Sequence, residues 1–360
     1  MTEFNDNRHS VYKGNKLTVE IYGASHAPEI GVKVDGFSKG DFYNTEELQR
    51  FLNRRKAVNT AYSTKRFEPD TPEIISGAND GVLDGNTFCA VVKNISQKSA
   101  DYDNLKKIPR PSHADFVAWT KYGDGFDHRG GGKFSGRMTV AMCIAGGICK
   151  QLLKEKGINI TAYISQIGNA VGASYKNTDK IEVKDAQFPL LDESFKGGML
   201  SEIDNAYSNL DSVGGKIECV IEGVPVGTGE FMFDSIESVI SHLVFAVPAI
   251  KGIEFGSGFD FCQMNGSSAN DQFVIDNGAI KTSTNRNGGI NGGLANGMPI
   301  TFGVAVKPTP SISKKQRSVN LVDMTEVDLE IKGRHDACIV PRAVPVIEAV
   351  AAIAIYDLLG

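Results

Sequence analysis

No stretch of this 360-residue chain approaches the roughly 18 to 20 consecutive apolar residues that a membrane span requires. The opening segment MTEFNDNRHSVYKGN is polar and lacks the apolar core of a signal peptide. Cysteine is sparse and scattered: Cys89, Cys143, Cys149, Cys219, Cys262 and Cys338 form no CxxC pair. Buried, reduced thiols in a cytoplasmic protein are expected, not a disulfide framework. The histidines and cysteines offer no zinc spacing, so no metal is expected. Positive charge is also short, with 38 Lys and Arg against 43 Asp and Glu, and the net of −5 argues against general nucleic-acid or membrane-surface binding.

Glycine is what the chain has in excess, 39 residues or about 11% against a usual level near 7%. Such an excess marks backbone that turns tightly or approaches something closely. The 41% hydrophobic and 22% charged content is ordinary for a globular enzyme with a sizeable core.

The chain carries a faint internal repeat. Ile30–Gly36 reads as a strand running into a glycine turn, then Thr45–Asn53 as a helix, with Asn44 and Glu47 spaced as a capping box. Ile217–Gly223 and Asp234–Phe245 repeat the pattern, with Asp234 and Glu237 at the same spacing. Strands are expected again within Gly85–Asn94 and Gly297–Lys307. Each is followed by a histidine loop, PRPSHAD and KGRHDAC, and then by an arginine and a long apolar segment, Arg137–Leu153 and Arg342–Leu359. Helices apolar on nearly every face belong inside a large core, with Pro345 tolerated in a first turn. Tyr163–Glu202 reads as a polar, irregular surface excursion. One domain over residues 1–360 is expected, built from two similar halves at about 15–160 and 205–360.

Four segments carry unusual residue combinations. Tyr22–Ala27 places His26 beside small residues after the strand candidate Leu17–Ile21. Arg54-Arg55-Lys56 opens a stretch, Arg54 to Arg137, with 14 Lys and Arg against 10 Asp and Glu, in a chain that is otherwise acidic. That asymmetry suits a focused pocket for a small, multiply charged anion. Between Arg110 and Arg137 lie RPSHAD and DHRGGGKFSGR, where Gly130–Gly132 bring backbone N–H groups close to basic side chains ahead of a helix start near Thr139. The loop matches neither GxxxxGK[ST] nor GxGxxG. In KGRHDACIVPRAVP, Asp336 stands between Arg334 and Arg342 as a carboxylate suited to orienting a donor or accepting a proton. The glycine-rich run Asn285–Pro299 reads as a mobile loop or as one that closes on a flat ligand.

Taken in order, YGASHAPEIG, LNRRK, KRFEPD, SADYDN, RPSHADFVAWTKYG, RGGGKFSGRMT, PAIKGIEFGSGFD, GGINGGLANGMPI, VKPTPSI and GRHDACIVPRAVPVIEA resemble the chorismate synthase family over nearly the whole chain. The resemblance implies an α+β fold, a β-α-β sandwich of two halves related by a pseudo-two-fold axis and assembled as a homotetramer. It implies a carbon–oxygen lyase acting on 5-enolpyruvylshikimate 3-phosphate, which loses phosphate by anti-1,4-elimination to give chorismate for aromatic amino-acid biosynthesis. Reduced FMN is required without net redox change. Carried over by motif, His26 is the acid near the departing phosphate, His113 lies by the flavin pyrimidine edge and Asp336 near flavin N5. Arg54, Arg55, Arg110, Arg137 and Arg342 hold the substrate's anionic groups. FMN is met by Lys133, Phe134, Ser135, Pro248, Ala249, Gly292, Lys307, Pro308, Thr309, Pro310, Ser311 and Arg334.

The chain departs from the family pattern in places. GESHG is GASHA, so Ala24 replaces a carboxylate beside His26; RRRPG is RRKAV; RPGHAD has Ser112; and Met138 follows SGR. Ala61 stands where some members have an arginine associated with NADP. The alternative these departures raise is a flavin- or anion-binding relative with altered or lost catalysis.

Overall fold

Alternating and continuous apolar stretches set the frame. In the computed structural model, residues 10–56, 68–95, 107–123, 127, 129–178, 181–331 and 336–360 are described. The first sheet contains β1 (Ser10–Lys13), β2 (Thr18–Gly23), β3 (Glu29–Asp35), β4 (Glu73–Ser76) and β5 (Phe88–Lys93) in the order β1-β2-β3-β5-β4. The second contains β6 (Asn159–Ile167), β7 (Ala170–Val171), β8 (Gly215–Glu222), β9 (Ile250–Phe255) and β10 (Ile300–Val306) in the order β7-β6-β8-β10-β9. All pairings are antiparallel, with Ile30 opposite Val92 in one sheet and Cys219 opposite Phe302 in the other.

The helices lie between the sheets. α3 (Thr139–Glu155) packs on β2, β3 and β5, α6 (Val340–Leu358) packs on β6 and β8, and the two helices pack on each other. α1 (Thr45–Asn53) lies against α3, and α5 (Ile236–Phe245) against α6. This is an α+β, β-α-β sandwich, and most of α3 and α6 is buried in it. Adjacent glycines permit the close packing of three helices. A Cβ on Gly146 would fall on the Ala349 backbone of α6, and one on Gly147 would lie 2.6 Å from Leu48 of α1. Near the C-terminus, the buried Asp357 carboxylate accepts from the Asn15, Lys16 and Leu17 N–H groups at 2.7–3.1 Å, fastening the first hairpin to α6. No helix among the described residues is long and apolar enough to cross a membrane.

Local details differ from the sequence expectation where side chains compete for one role. Asn44 caps α1 by accepting from Glu47 N–H at 2.9 Å, but its own N–H donates to Gln151 of α3, so the reciprocal half of a capping box is not formed. α5 is capped by Ser235, which accepts from Ser238 N–H; the expected Asp234 lies one residue too early. α6 begins at Val340, so Pro341 occupies the first turn and Pro345 lies inside the helix. Tyr163–Glu202 is irregular only in its middle: β6 and β7 run to Val171, and α4 (Lys196–Ser208) starts before its end. Of the cysteines, Cys143, Cys149, Cys219 and Cys338 are buried, Cys89 is half-buried and Cys262 is exposed.

Candidate active site

His26 sits at a corner of a β-turn after β2, closed by Ala27 N–H donating to Ala24 C=O at 3.1 Å. The glycine loop presses against it. A Cβ on Gly130 would lie 2.6 Å from the His26 ring, and one on Gly131 would lie 3.3 Å from the His113 ring. Gly130, Gly131 and Gly132 all have positive φ (57°, 85° and 53°), which side chains disfavour, so glycine is needed to thread backbone between the two imidazoles. Ser25 N–H donates to Gly132 C=O and Ser25 Oγ to Arg129 C=O, locking turn and loop together.

RPSHAD folds around Asp115, in the first turn of α2 (Asp115–Tyr122). Arg110 donates to both carboxylate oxygens, Nε at 2.7 Å and Nη2 at 2.8 Å, and His113 Nδ1 lies 2.6 Å from Oδ1. Burial alone would raise the Asp115 pKa, but the bonds from Arg110 and His113 hold it well below the usual carboxylate range. With Nδ1–H donated to Asp115, the Nε2 edge of His113 is the one that faces Gly131. Ser112 has φ +58°, a left-handed conformation natural to the glycine it replaces in the resemblance.

The arginines divide. Arg55 and Arg137 share the carboxylate of Asp70, which is fully buried. Arg137 also donates Nε–H to Asn94 at 3.0 Å, and its Nη2 lies 3.9 Å from Glu68, beyond hydrogen-bond reach. Arg55 Nε and Arg137 Nη2 are buried with no hydrogen-bond partner among the described residues. Arg342 donates Nη1–H to Asp336 at 2.5 Å and Nε–H to the Arg55 carbonyl at 3.1 Å, which joins the start of α6 to the end of α1. Arg54 turns elsewhere. It is bidentate to the buried Glu348 of α6 at 2.7 and 2.9 Å, and it lines a cleft with Arg50, Phe51, Lys150 and Gln151.

The loop after β10 knits the halves together. Lys307 Nζ donates to Ser112 C=O at 2.6 Å, Arg110 Nη1 to Ser311 Oγ at 3.1 Å, and Thr309 Oγ1 to Asp336 C=O at 2.9 Å. Lys307 N–H donates to Ala249 C=O, which brings Pro248–Ala249 to the same end of the sheet. Burial, together with nearby Lys251, lowers the Lys307 pKa. Lys133 and Phe134 are exposed beside the glycine loop. Gly292 lies in the tight turn between Ile290–Asn291 and Leu294–Ala295, where a Cβ on it would meet nothing within 4 Å. Arg334 lies outside the described residues, as do Ala57 and Ala61.

Four polar residues that composition and spacing did not single out prove central: Asp70, Asn94, Asp115 and Asp127. Asp70 and Asp115 are the closing residues of KRFEPD and RPSHAD, so each motif's last letter was the available signal. Asp127 is held by Arg129 and lies near enough to His26 for their charges to interact. Burial works against its ionisation, but Arg129 and then His26 hold its pKa low. It supplies a carboxylate near His26 although position 24 is alanine. The arrangement suits an oxyanion-rich ligand: buried arginine N–H groups lacking partners, two helices of 17 and 19 residues starting at the same place, and a proton donor beside them. The donors around Lys133, Lys307 and Ser311 likewise fit a phosphate-bearing planar group held near His113.

The sequence profile described as chorismate synthase matches residues 17–359. Chorismate synthase of Dehalococcoides mccartyi is 42% identical over 348 residues, covering 96% of this chain and 95% of the relative. That of Thermococcus gammatolerans is 42% identical over 345 residues, covering 96% of each. A crystal structure of a chorismate synthase superposes with a TM-score of 0.74 at 25% identity, covering 96% of this chain and 92% of the other.

Proposed function

This chain belongs to the chorismate synthase family, and on that premise we propose that it is a carbon–oxygen lyase converting 5-enolpyruvylshikimate 3-phosphate to chorismate with loss of phosphate. The observation that carries the reading is the buried N–H groups of Arg55 and Arg137 left without partners near the His26 turn, in a chain matched end to end by the family.

The substrate carries a phosphate and two carboxylates, and elimination builds charge on the departing phosphate. Arg55, Arg110, Arg137 and Arg342 hold these groups, since guanidinium forks bind oxyanions bidentately and are already oriented by carboxylates of the protein. His26 donates a proton to the leaving phosphate; a general acid of this kind contributes typically about 10²–10⁴-fold. His113, its Nδ1 tied to Asp115, keeps Nε2 aimed at the cofactor side, and Asp336 accepts a proton there. Reduced FMN, when bound, supplies transient electron density without net redox change. Lys133–Ser135, Pro248–Ala249 and Lys307–Ser311 would hold it, and Arg334 and Gly292 are assigned by resemblance alone. The form to assay is a homotetramer, again by resemblance.

Anaerobic incubation of the protein with chemically reduced FMN and substrate tests the proposal. Stoichiometric phosphate and chorismate are expected without NADPH consumption. Phosphate release at background level refutes it.

A further inference from the structure

The His26 turn and the Arg137 guanidinium are joined by one side chain, that of Asn94 at the end of β5. Its amide nitrogen donates to Ala27 C=O at 2.8 Å and to Ala24 C=O at 3.2 Å, the two ends of the turn that carries His26. Its amide oxygen accepts from Arg137 Nε at 3.0 Å. The orientation is chemically unambiguous, because carbonyls only accept and Nε–H only donates. The backbone adds a third tie to this turn, Asn94 N–H to Pro28 C=O at 2.9 Å. Asn94 is buried, and the adjacent Ile95 N–H donates to Glu68 at 3.0 Å. Asn94 and Asp70 together fix the Arg137 fork from two edges, leaving Nη2 without a hydrogen-bond partner among the described residues.

We propose that Asn94 is a positioning residue that sets the distance between the acid, His26, and the anion-holding Arg137. Neither serine nor leucine can take its place, since the role needs two donors and one acceptor on a planar group. Aspartate is isosteric and keeps the acceptor for Arg137, but it turns an oxygen toward two carbonyls and loses both donors. The role in turnover rests on the reading of function above; the structural coupling does not.

Two measurements on the full-length protein decide it. In Asn94→Asp and Asn94→Ala, amide hydrogen exchange at Ser25–Ala27 is expected to quicken at least about 10-fold, with β3 and β5 core amides unchanged. In turnover, Asn94→Ala is expected to lower kcat about 10²-fold in the wild-type background but less than about tenfold in a His26→Ala background, because only its hold on Arg137 is then left to lose. Exchange at the turn that is unchanged, or that quickens equally through the core, overturns the proposal. So does a kcat loss of the same size in both backgrounds. If the wild type shows no turnover, the functional reading fails and the exchange measurement alone decides the coupling.

Discussion

Arg54→Met removes two charge-assisted hydrogen bonds from a carboxylate with almost no water around it. Glu348 is 2% exposed, and its oxygens take Arg54 at 2.7 and 2.9 Å, Lys150, and Ala162 N–H at 3.1 Å. Burial acts to raise its pKa, but Lys150 and Arg54 overcome this and bring it down from 4.5 to about 2. At about 1.4 kcal/mol per unit, the two cations together make roughly 3 kcal/mol of folding stability depend on this charge. Losing Arg54 removes about half of that and leaves a poorly compensated buried charge, so a loss of about 2–3 kcal/mol is expected at pH 7. The residue was an attractive candidate for gripping substrate, so KM is the discriminating quantity. It should change less than about threefold if the guanidinium serves Glu348 and not substrate, because a group that does not meet the ligand contributes no binding energy.

The pH dependence has a definite sign. A carboxylate whose pKa is depressed on folding contributes fully above its unfolded value, near 4.3, and loses that contribution as pH falls toward the folded value of about 2. The gap in urea-unfolding free energy between wild type and Arg54→Met should therefore be constant from pH 7 to about 5 and narrow below about 4. An unchanged urea midpoint with KM raised tenfold or more would refute the structural assignment of Arg54. A gap that widens on acidification would refute the electrostatic account.

Asp70→Asn leaves the buried Arg55 and Arg137 without their shared counter-charge and is expected to cost about 3–5 kcal/mol. Inorganic phosphate, matched against chloride at equal ionic strength, should restore more stability to the variant than to the wild type; equal effects on both would sink the idea that these forks receive an oxyanion. Gly130→Ala places a Cβ 2.6 Å from the His26 ring at φ +57°, with a backbone strain of about 1–2 kcal/mol, and should lower kcat more than tenfold. Gly136→Ala, where a Cβ would meet nothing within 4 Å, is the control and should stay within twofold; comparable losses in both variants would mean that loop stiffness, not contact with His26, matters.

Legibility from sequence followed how strongly neighbouring residues constrain one another. Apolar runs with nothing polar to place, such as Val140–Cys149 and Ala349–Ile355, read directly as buried helices. The His26 and His113 loops were legible because a triple glycine beside basic residues has few other uses. Caps were legible only to within a residue: Asp234 and Ser235 both qualify, and the winner is set by where Ile236 enters the core. Asn94 and Asp127 were silent, and Asp70 was signalled only by its motif, because a single polar residue at a strand end or in a loop looks like any other. The contacts that give them meaning are distant in sequence: Asn94 and Asp70 each meet Arg137, and Asn94 and Asp127 each serve the His26 turn. Arg54 and Arg55 show the limit most plainly. Consecutive cations after a helix point about 100° apart, so one reaches Glu348 in the core and the other Asp70 at the site.

Four strands of each sheet run in the same relative order, β2-β3-β5-β4 and β6-β8-β10-β9, with β1 and β7 at the remaining edges, yet the chemistry is not duplicated. Arg137 and Arg342 occupy matching positions at the starts of α3 and α6, and both orient toward carboxylates, Asp70 and Asp336. Beyond that the halves diverge. The position after β5 holds Asn94, which ties the acid's turn to Arg137, and the position after β10 holds Lys307, which reaches across to the Ser112 carbonyl of the other half. The strands and central helices supply most of the main buried apolar cluster, so their pattern is constrained in both sheets. The strand ends bury little and are free to differ. On the proposed function, a site built where corresponding ends converge would take two anion-holding helix starts from the shared frame, and its proton donor and cross-links from residues that differ between the two sheets. Substitutions at the shared helix starts should therefore weaken substrate binding from either half, whereas those after β5 and β10 should separate into loss of turnover in the first case and loosened contact between halves in the second.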